Sequence, residues 1–257
     1  MGRVLHNFKL TIAYDGTAYC GWQIQPNGVS IQEIIQNHIQ TIVRKKVTLI
    51  GSGRTDAGVH ALGQVAHFHF DEPLNLYRLQ GSLNGLLPHD IRIYQIVETS
   101  HDFHAQYSAI SKTYHYRLHL DRILNPFKRL YSLHVREKID LTLLKETASL
   151  FLGTHDFTSF ANEAHAGSAA KDPIRTLHRL DIVEEEGGIR LEFEADGFLY
   201  KMVRNIVGTL LEVASGKRRR QEIPEIFAAN DRRYAGKAAP PLGLFLMHVS
   251  YPETDLL

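Results

Sequence analysis

The chain has 257 residues, 44% of them hydrophobic and 22% charged, and a formal charge of +1. That is the make-up of a soluble globular protein with a core large enough to need no covalent staple, and it excludes a disordered chain. The single cysteine, Cys20, excludes an internal disulfide framework and fits a reducing cytoplasmic setting, no run approaches the length of a membrane span, and "MGRVLHNFKLTIAYDG" lacks the apolar core of a signal peptide.

"FKLTIAYDG" (8–16) alternates and is β-branched, so it predicts a strand. "SIQEIIQNHIQTIV" (30–43) carries isoleucines at helical spacing, with Ser30 as N-cap and Glu33 three residues on. "VTLIGSG" and "GQVAHFHF" predict two strands around a glycine-rich bend, "LYRLQGSLNGLL" a helix weakened by Gly81, and "IRIYQIVE" a further strand. The second half repeats the order. "SKTYHYRLHL" predicts a strand and "LTLLKETASLFLG" a helix. "HRLDIVEEEGGIRLEFEAD" predicts a hairpin turning at Gly187-Gly188. "FLYKMVRNIVGTLLEVASG" predicts a long amphipathic helix closed by Gly216, and "GLFLMHVSY" a last strand. Two β-α-β-β-α-β units predict an α+β protein of two ferredoxin-like halves, residues 1–107 and 108–257, with the junction near Ser108. Sheets of this kind leave one face open, and such faces bind RNA in other modules.

The bend "GSGRTDAG" (51–58) sets Asp56 beside Arg54. It is superficially similar to a dinucleotide fingerprint, but a strand follows it where that motif needs a helix. A glycine turn with Asp56 bonding its own backbone is the bland reading. His60, His67 and His69 offer a divalent-metal site with Asp56, the set a metal-dependent hydrolase would use, although no cysteine pair or HExxH supports it. Tyr114 and Tyr116 share one face of a strand, either as a core pair or as a stacking platform for a base. Arg204 sits within an apolar helix, either snorkelling at its rim or seeking an anionic partner, for which Asp56 is a candidate. Charge is segregated along the chain: from Lys217 to Lys237 there are seven Lys/Arg against three Asp/Glu. Lys217, Arg218, Arg219 and Arg220 follow the helix-ending Gly216, so they are either a solvated run or a surface for phosphates.

"YDGTAYCGWQIQ", "GSGRTDAGVHALGQVAHF", "FHAQYSAISKTYHYRL", "FLYKMVRNIVG" and "APPLGLFLMHVSY" come in this order, and the series resembles the tRNA pseudouridine synthase A (TruA) family over nearly the whole chain. The resemblance implies an isomerase acting on tRNA, converting uridine to pseudouridine at positions 38, 39 and 40 of the anticodon stem-loop. It implies no cofactor and no metal. It makes Asp56 the essential carboxylate, Arg204 the basic residue that holds it ionised, and Tyr114 the ring against the target base. Arg54 becomes the residue that fills the place of the flipped-out nucleotide. It also implies one continuous, mixed, mainly antiparallel sheet with helices on one face, a central cleft, and a homodimer in the cytoplasm. Two positions depart from the family pattern: Gln106 stands where arginine is usual and Lys201 where histidine is common. A tRNA-binding module without catalysis would need the same surface but not Asp56.

Overall fold

A computed structural model describes residues 5–162 and 172–252. The chain divides into two compact units, Met1–Ile110 with Phe245–Leu257, and Ser111–Leu244.

In the first unit the elements are β1 (His6–Tyr14), α1 (Ile31–Val43), β2 (Ile50–Gly51), β3 (His60–Phe70), α2 (Leu76–Leu86) and β4 (Ile91–Thr99). The strands lie in the order β4-β1-β3-β2, and every neighbouring pair is antiparallel. Phe8, Leu10 and Ile12 alternate along β1 and are fully buried, as are Ile31, Ile35 and Ile39 on α1 and Leu83 on α2. Each such side chain contributes about 1.5–3 kcal/mol. The Ser30 hydroxyl accepts from the Glu33 N–H, so the cap read from the sequence is present. Buried Gln32 fixes α1 sideways, donating to the Leu49 carbonyl and accepting from the Ile24 N–H.

In the second unit β5 (Ser111–His119) is followed by β6 (Leu133–His134), α3 (Leu141–Ala148), β7 (Gly153–Asp156) and β8 (Ile174–Glu185). Then come β9 (Gly188–Ala195), α4 (Met202–Ala214) and α5 (Glu222–Ala229). The strand order is β5-β9-β8-β7, antiparallel throughout, with β6 parallel on the outer part of β5. The β8–β9 turn is Glu186-Gly187, one residue earlier than the sequence predicts, with Gly187 at φ +75°. Gly188 is instead the first residue of β9, where a Cβ would fall 1.9 Å from the Leu118 carbonyl oxygen. Helix α4 starts four residues later than its apolar spacing predicts, because Lys201 takes a left-handed conformation at φ 61°. Gly216, at φ +75°, ends that helix as expected, and the Lys217 and Arg218 N–H groups both donate to the Glu212 carbonyl.

The last strand, β10 (Leu244–Ser250), belongs to the first unit from Phe245 on, through a parallel pairing with β3 that sets Phe245 against His60. The architecture is thus α+β with mainly antiparallel strands and one parallel return. Among the described residues no helix is long and apolar enough to cross a membrane.

Candidate active site

The bend that carries Asp56 is held on three sides within the first unit. On one side lies the segment after β1. Gly21 forms an isolated antiparallel bridge with Asp56, and the Trp22 N–H donates to the Thr55 carbonyl at 3.1 Å. On the second side the buried Tyr14 hydroxyl bonds the Thr55 hydroxyl at 2.8 Å, and burial raises the Tyr14 pKa, so this link is neutral at any ordinary pH. On the third side buried Gln64, from β3, accepts from the Ser52 hydroxyl at 2.7 Å and donates to the Gly53 carbonyl at 3.0 Å. The turn closes with the Val59 N–H donating to the Asp56 carbonyl, and Gly58 takes φ +76° to allow it.

The glycines around this bend serve close approach of the protein to itself. A Cβ on Gly51 would lie 2.4 Å from the Trp22 ring nitrogen, and one on Gly16 would lie 1.9 Å from the Val59 carbonyl oxygen. Asp56 is half-buried and Arg54 exposed, so the bend displays both side chains from a backbone with little slack. Sequence reasoning missed Tyr14, Gln64 and Gly21 as the supports. The one available signal was Gln64, a polar residue among apolar neighbours in "GQVAHFHF".

In the second unit Tyr114 is buried on β5, opposite Phe193 of β9, and meets the Phe198 ring edge-on at 5.0 Å. Tyr116 is a core residue: it is fully buried, its hydroxyl donates to the Pro240 carbonyl at 2.7 Å, and burial raises its pKa. Arg204 is half-buried near the start of α4. Its Nε donates to the Ala239 carbonyl at 2.7 Å, and the Ala239 N–H donates back to the Arg204 carbonyl at 2.9 Å. The loop before β10 therefore fixes Arg204 at both backbone and side chain. Gly208 lets that loop lie on α4, since a Cβ there would fall 1.7 Å from the Lys237 carbonyl oxygen. The loop is held in turn by Arg232, which bonds the Asn205 side chain and the Gly236 carbonyl, and by the Gly236 N–H donating to Thr209.

The basic run is not a bare charge patch. Lys217 pairs with Glu137, Arg218 with Glu212 and Glu222, Arg219 with Glu222, and Arg220 with Glu146. Arg218 is largely covered, whereas the Lys217 and Arg219 side chains are 58% and 81% exposed. Of the two departures from the family pattern, Gln106 is exposed at a loop tip, and Lys201 sets its ammonium 5.0 Å from the Tyr200 ring centre.

The histidines have other tasks than metal binding. His60 is buried, accepts from the Gly16 N–H at 3.1 Å and stacks on Phe245. His67 is buried and accepts from the Ala105 N–H at 3.2 Å. Burial, with His104 and His69 nearby, pushes its pKa down to about 4. Among the described residues no three His, Cys, Asp or Glu side chains converge as metal ligands, which corrects the reading of His60, His67 and His69 with Asp56 as such a set.

The family model described as tRNA pseudouridine synthase matches residues 10–108 and 147–252. The chain is 65% identical to tRNA pseudouridine synthase A 1 of Protochlamydia amoebophila, covering 98% of each chain. It is 47% identical to tRNA pseudouridine synthase A of Chlamydia muridarum, covering 95% of this chain and 91% of that one. With tRNA pseudouridine synthase A of Acetivibrio thermocellus the identity is 44% over 96% of this chain and the whole of the other. The chain belongs to the tRNA pseudouridine synthase A family, whose chemistry is that of an isomerase.

Proposed function

We propose that this protein converts uridine to pseudouridine at positions 38, 39 and 40 in the anticodon stem-loop of tRNA. The reading is supported above all by whole-length similarity to synthases of this kind, joined to the anchored display of Asp56. In the reaction the bond from uracil N1 to ribose C1′ breaks and a bond from C5 to C1′ forms. The hydrogen on C5 passes to water and N1 takes up a proton, so atoms balance without an oxidant or a cofactor.

Asp56 is the catalytic carboxylate, either attacking the sugar or acting as a base at the ribose. Arg204, held by Ala239, supports it as an ion-pair partner. Tyr114, restrained by Phe198, packs against the target base. Arg54 occupies the space left in the stem by the flipped nucleotide, offsetting lost stacking worth a few kcal/mol. Lys217, Arg218, Arg219 and Arg220 meet backbone phosphates, with exposed Lys217 and Arg219 best able to exchange their surface carboxylates for RNA. The enzyme works as a homodimer in the cytoplasm.

The test is incubation of the purified protein with a tRNA transcript carrying tritium on uridine C5, with a chelator present. Tritium is released to water, and base-resolved mapping finds pseudouridine at one or more of the three positions. Asp56→Asn keeps the shape, removes the charge, and abolishes release while tRNA binding survives. Bound tRNA with unchanged uridine would leave a binding module.

A further inference from the structure

Residues 100–108 form a strap on the first unit, held by polar bonds from Asn7, His67 and Tyr251, two of them buried. The Asn7 amide donates to the carbonyls of Ser100, His101 and Phe103 at 3.0, 3.4 and 2.8 Å. His67 accepts from the Ala105 N–H, and the Tyr251 hydroxyl donates to the Ala105 carbonyl at 2.7 Å. Phe103 and Ala105 are buried beneath these bonds. The next turn is also closed. The Ser108 N–H donates to the His104 carbonyl at 2.9 Å, and the His104 N–H donates to the Ser108 hydroxyl at 3.0 Å. His104 Nδ1 accepts from the N–H groups of both Gln106 and Tyr107 at 3.2 Å.

What this anchored turn presents is an aromatic ring. Tyr107 is 73% exposed and stacks on His104, with ring centres 4.3 Å apart and planes 29° from parallel. His104 is backed by His67, edge to face at 4.8 Å. The chain exposes other large aromatics, Tyr77, Tyr94, Phe127 and Tyr234 among them, but among the described residues none of these rests on a second ring. A surface ring usually loses rotamer entropy when something binds it; the stack on His104 already favours one placement of this ring, so less is lost.

We propose that the Tyr107–His104 stack is a platform for an unpaired nucleobase of the RNA substrate. The inference rests on the proposed function for the identity of the ligand as RNA. A flat, solvent-facing π-surface of one ring's width suits a single splayed base, which every nucleotide can supply, so the contact adds affinity with little sequence preference. Exposed Gln106 at the same tip, with an amide that both donates and accepts, can reach the edge of a base so stacked. This is a role for the departure from the family pattern at that position.

The test uses the full-length protein, its Tyr107→Ala and Tyr107→Trp variants, and an unmodified tRNA transcript. One lost stack predicts a dissociation constant raised roughly five- to 150-fold in Tyr107→Ala, and Tyr107→Trp binds at least as tightly as the parent. The melting temperature and the single-turnover rate at saturating enzyme stay near the parent's, since the side chain is mostly exposed and the chemistry lies at Asp56. Tyr107→Ala binding within twofold of the parent overturns the platform. So does a variant whose only change is in sedimentation, which gives the ring to a second copy of the chain. A parent that binds tRNA in a Tyr107-dependent way yet releases no tritium would sink the synthase reading and leave the platform standing. A parent that binds no tRNA removes both.

Discussion

Gly21→Ala tests whether the anchoring of the Asp56 bend matters for catalysis. Gly21 lies at φ +103°, and a Cβ there would fall 2.4 Å from the Thr55 carbonyl oxygen and 3.0 Å from the Asp56 carbonyl carbon. Relief needs about 1 Å of separation. The two segments cannot part by that much without losing the bond from the Trp22 N–H to the Thr55 carbonyl. Strained backbone costs about 1–3 kcal/mol and overpacking a similar amount, so ~4 kcal/mol is a central expectation. For a chain of this size that lowers the melting temperature by about 10 °C. A catalytic carboxylate misplaced by ~1 Å costs on the order of a hundredfold in rate. Tritium release gives kcat/KM and calorimetry gives Tm. Gly81→Ala is the control, because its Cβ meets nothing within 4 Å, and a helix gains about 0.5–1 kcal/mol from the change. Gly21→Ala turning over within threefold of the parent, whatever its Tm, would refute the claim that the bend's backbone position sets the reaction.

Three further outcomes follow from the same structure. Arg204→Met should cripple turnover through Asp56, so the Arg204→Met/Asp56→Asn double variant should be no slower than Asp56→Asn; losses that multiply would contradict the pair. Changing Lys217 and Arg219 to Gln should weaken tRNA binding and flatten the slope of log K against log salt by roughly 0.7–0.9 per lost phosphate contact, and an unchanged slope would place the RNA elsewhere. Neutral His67 accepts from the Ala105 N–H with its pKa depressed from 6.5 to about 4, so the unfolded chain takes up that proton first. Stability is therefore full above pH ~6.5 and falls as pH drops towards ~4, by about 3 kcal/mol at most from this group. Urea midpoints measured from pH 7.5 to 4.5 should show the fall and His67→Gln should flatten it; a parent curve level down to pH 5 would refute it.

The long elements were legible because their signals are local. The isoleucine spacing and Ser30 cap of α1, and the alternation of β1, need no knowledge of the rest of the chain. The two-residue β6, the four-residue β7 and the eight-residue α5 carry no such signal, and α5 follows directly on a basic run that reads as loop. The late start of α4 depends on one left-handed residue, Lys201, which its apolar spacing does not announce. The four basic residues illustrate the same limit in charge. Counted along the chain they are an excess, but Glu137 and Glu146 lie 80 and 74 residues away, and only the fold brings them into pairing.

At the site itself, the glycine-rich bend pointed to Asp56, but the reason for its glycines was hidden. Gly16, Gly21 and Gly51 have no room for a Cβ because the Val59 carbonyl, the Thr55 carbonyl and the Trp22 ring occupy that space. Glycine at these positions therefore does not loosen the bend; it lets three neighbouring segments close on it. That closure has a chemical consequence. On the proposed function, a carboxylate that attacks the sugar or takes a proton from the ribose needs placing to within about 0.5 Å, which a loop with free torsions does not supply. The bend meets this by giving the Thr55 and Gly53 carbonyls to Trp22 and Gln64 and the Thr55 hydroxyl to Tyr14, while Asp56 stays half-buried and Arg54 exposed. Rigid placement and exposed chemistry are divided between main chain and side chain, so a substitution at Gly21 should damage turnover although Gly21 itself has no group that can react.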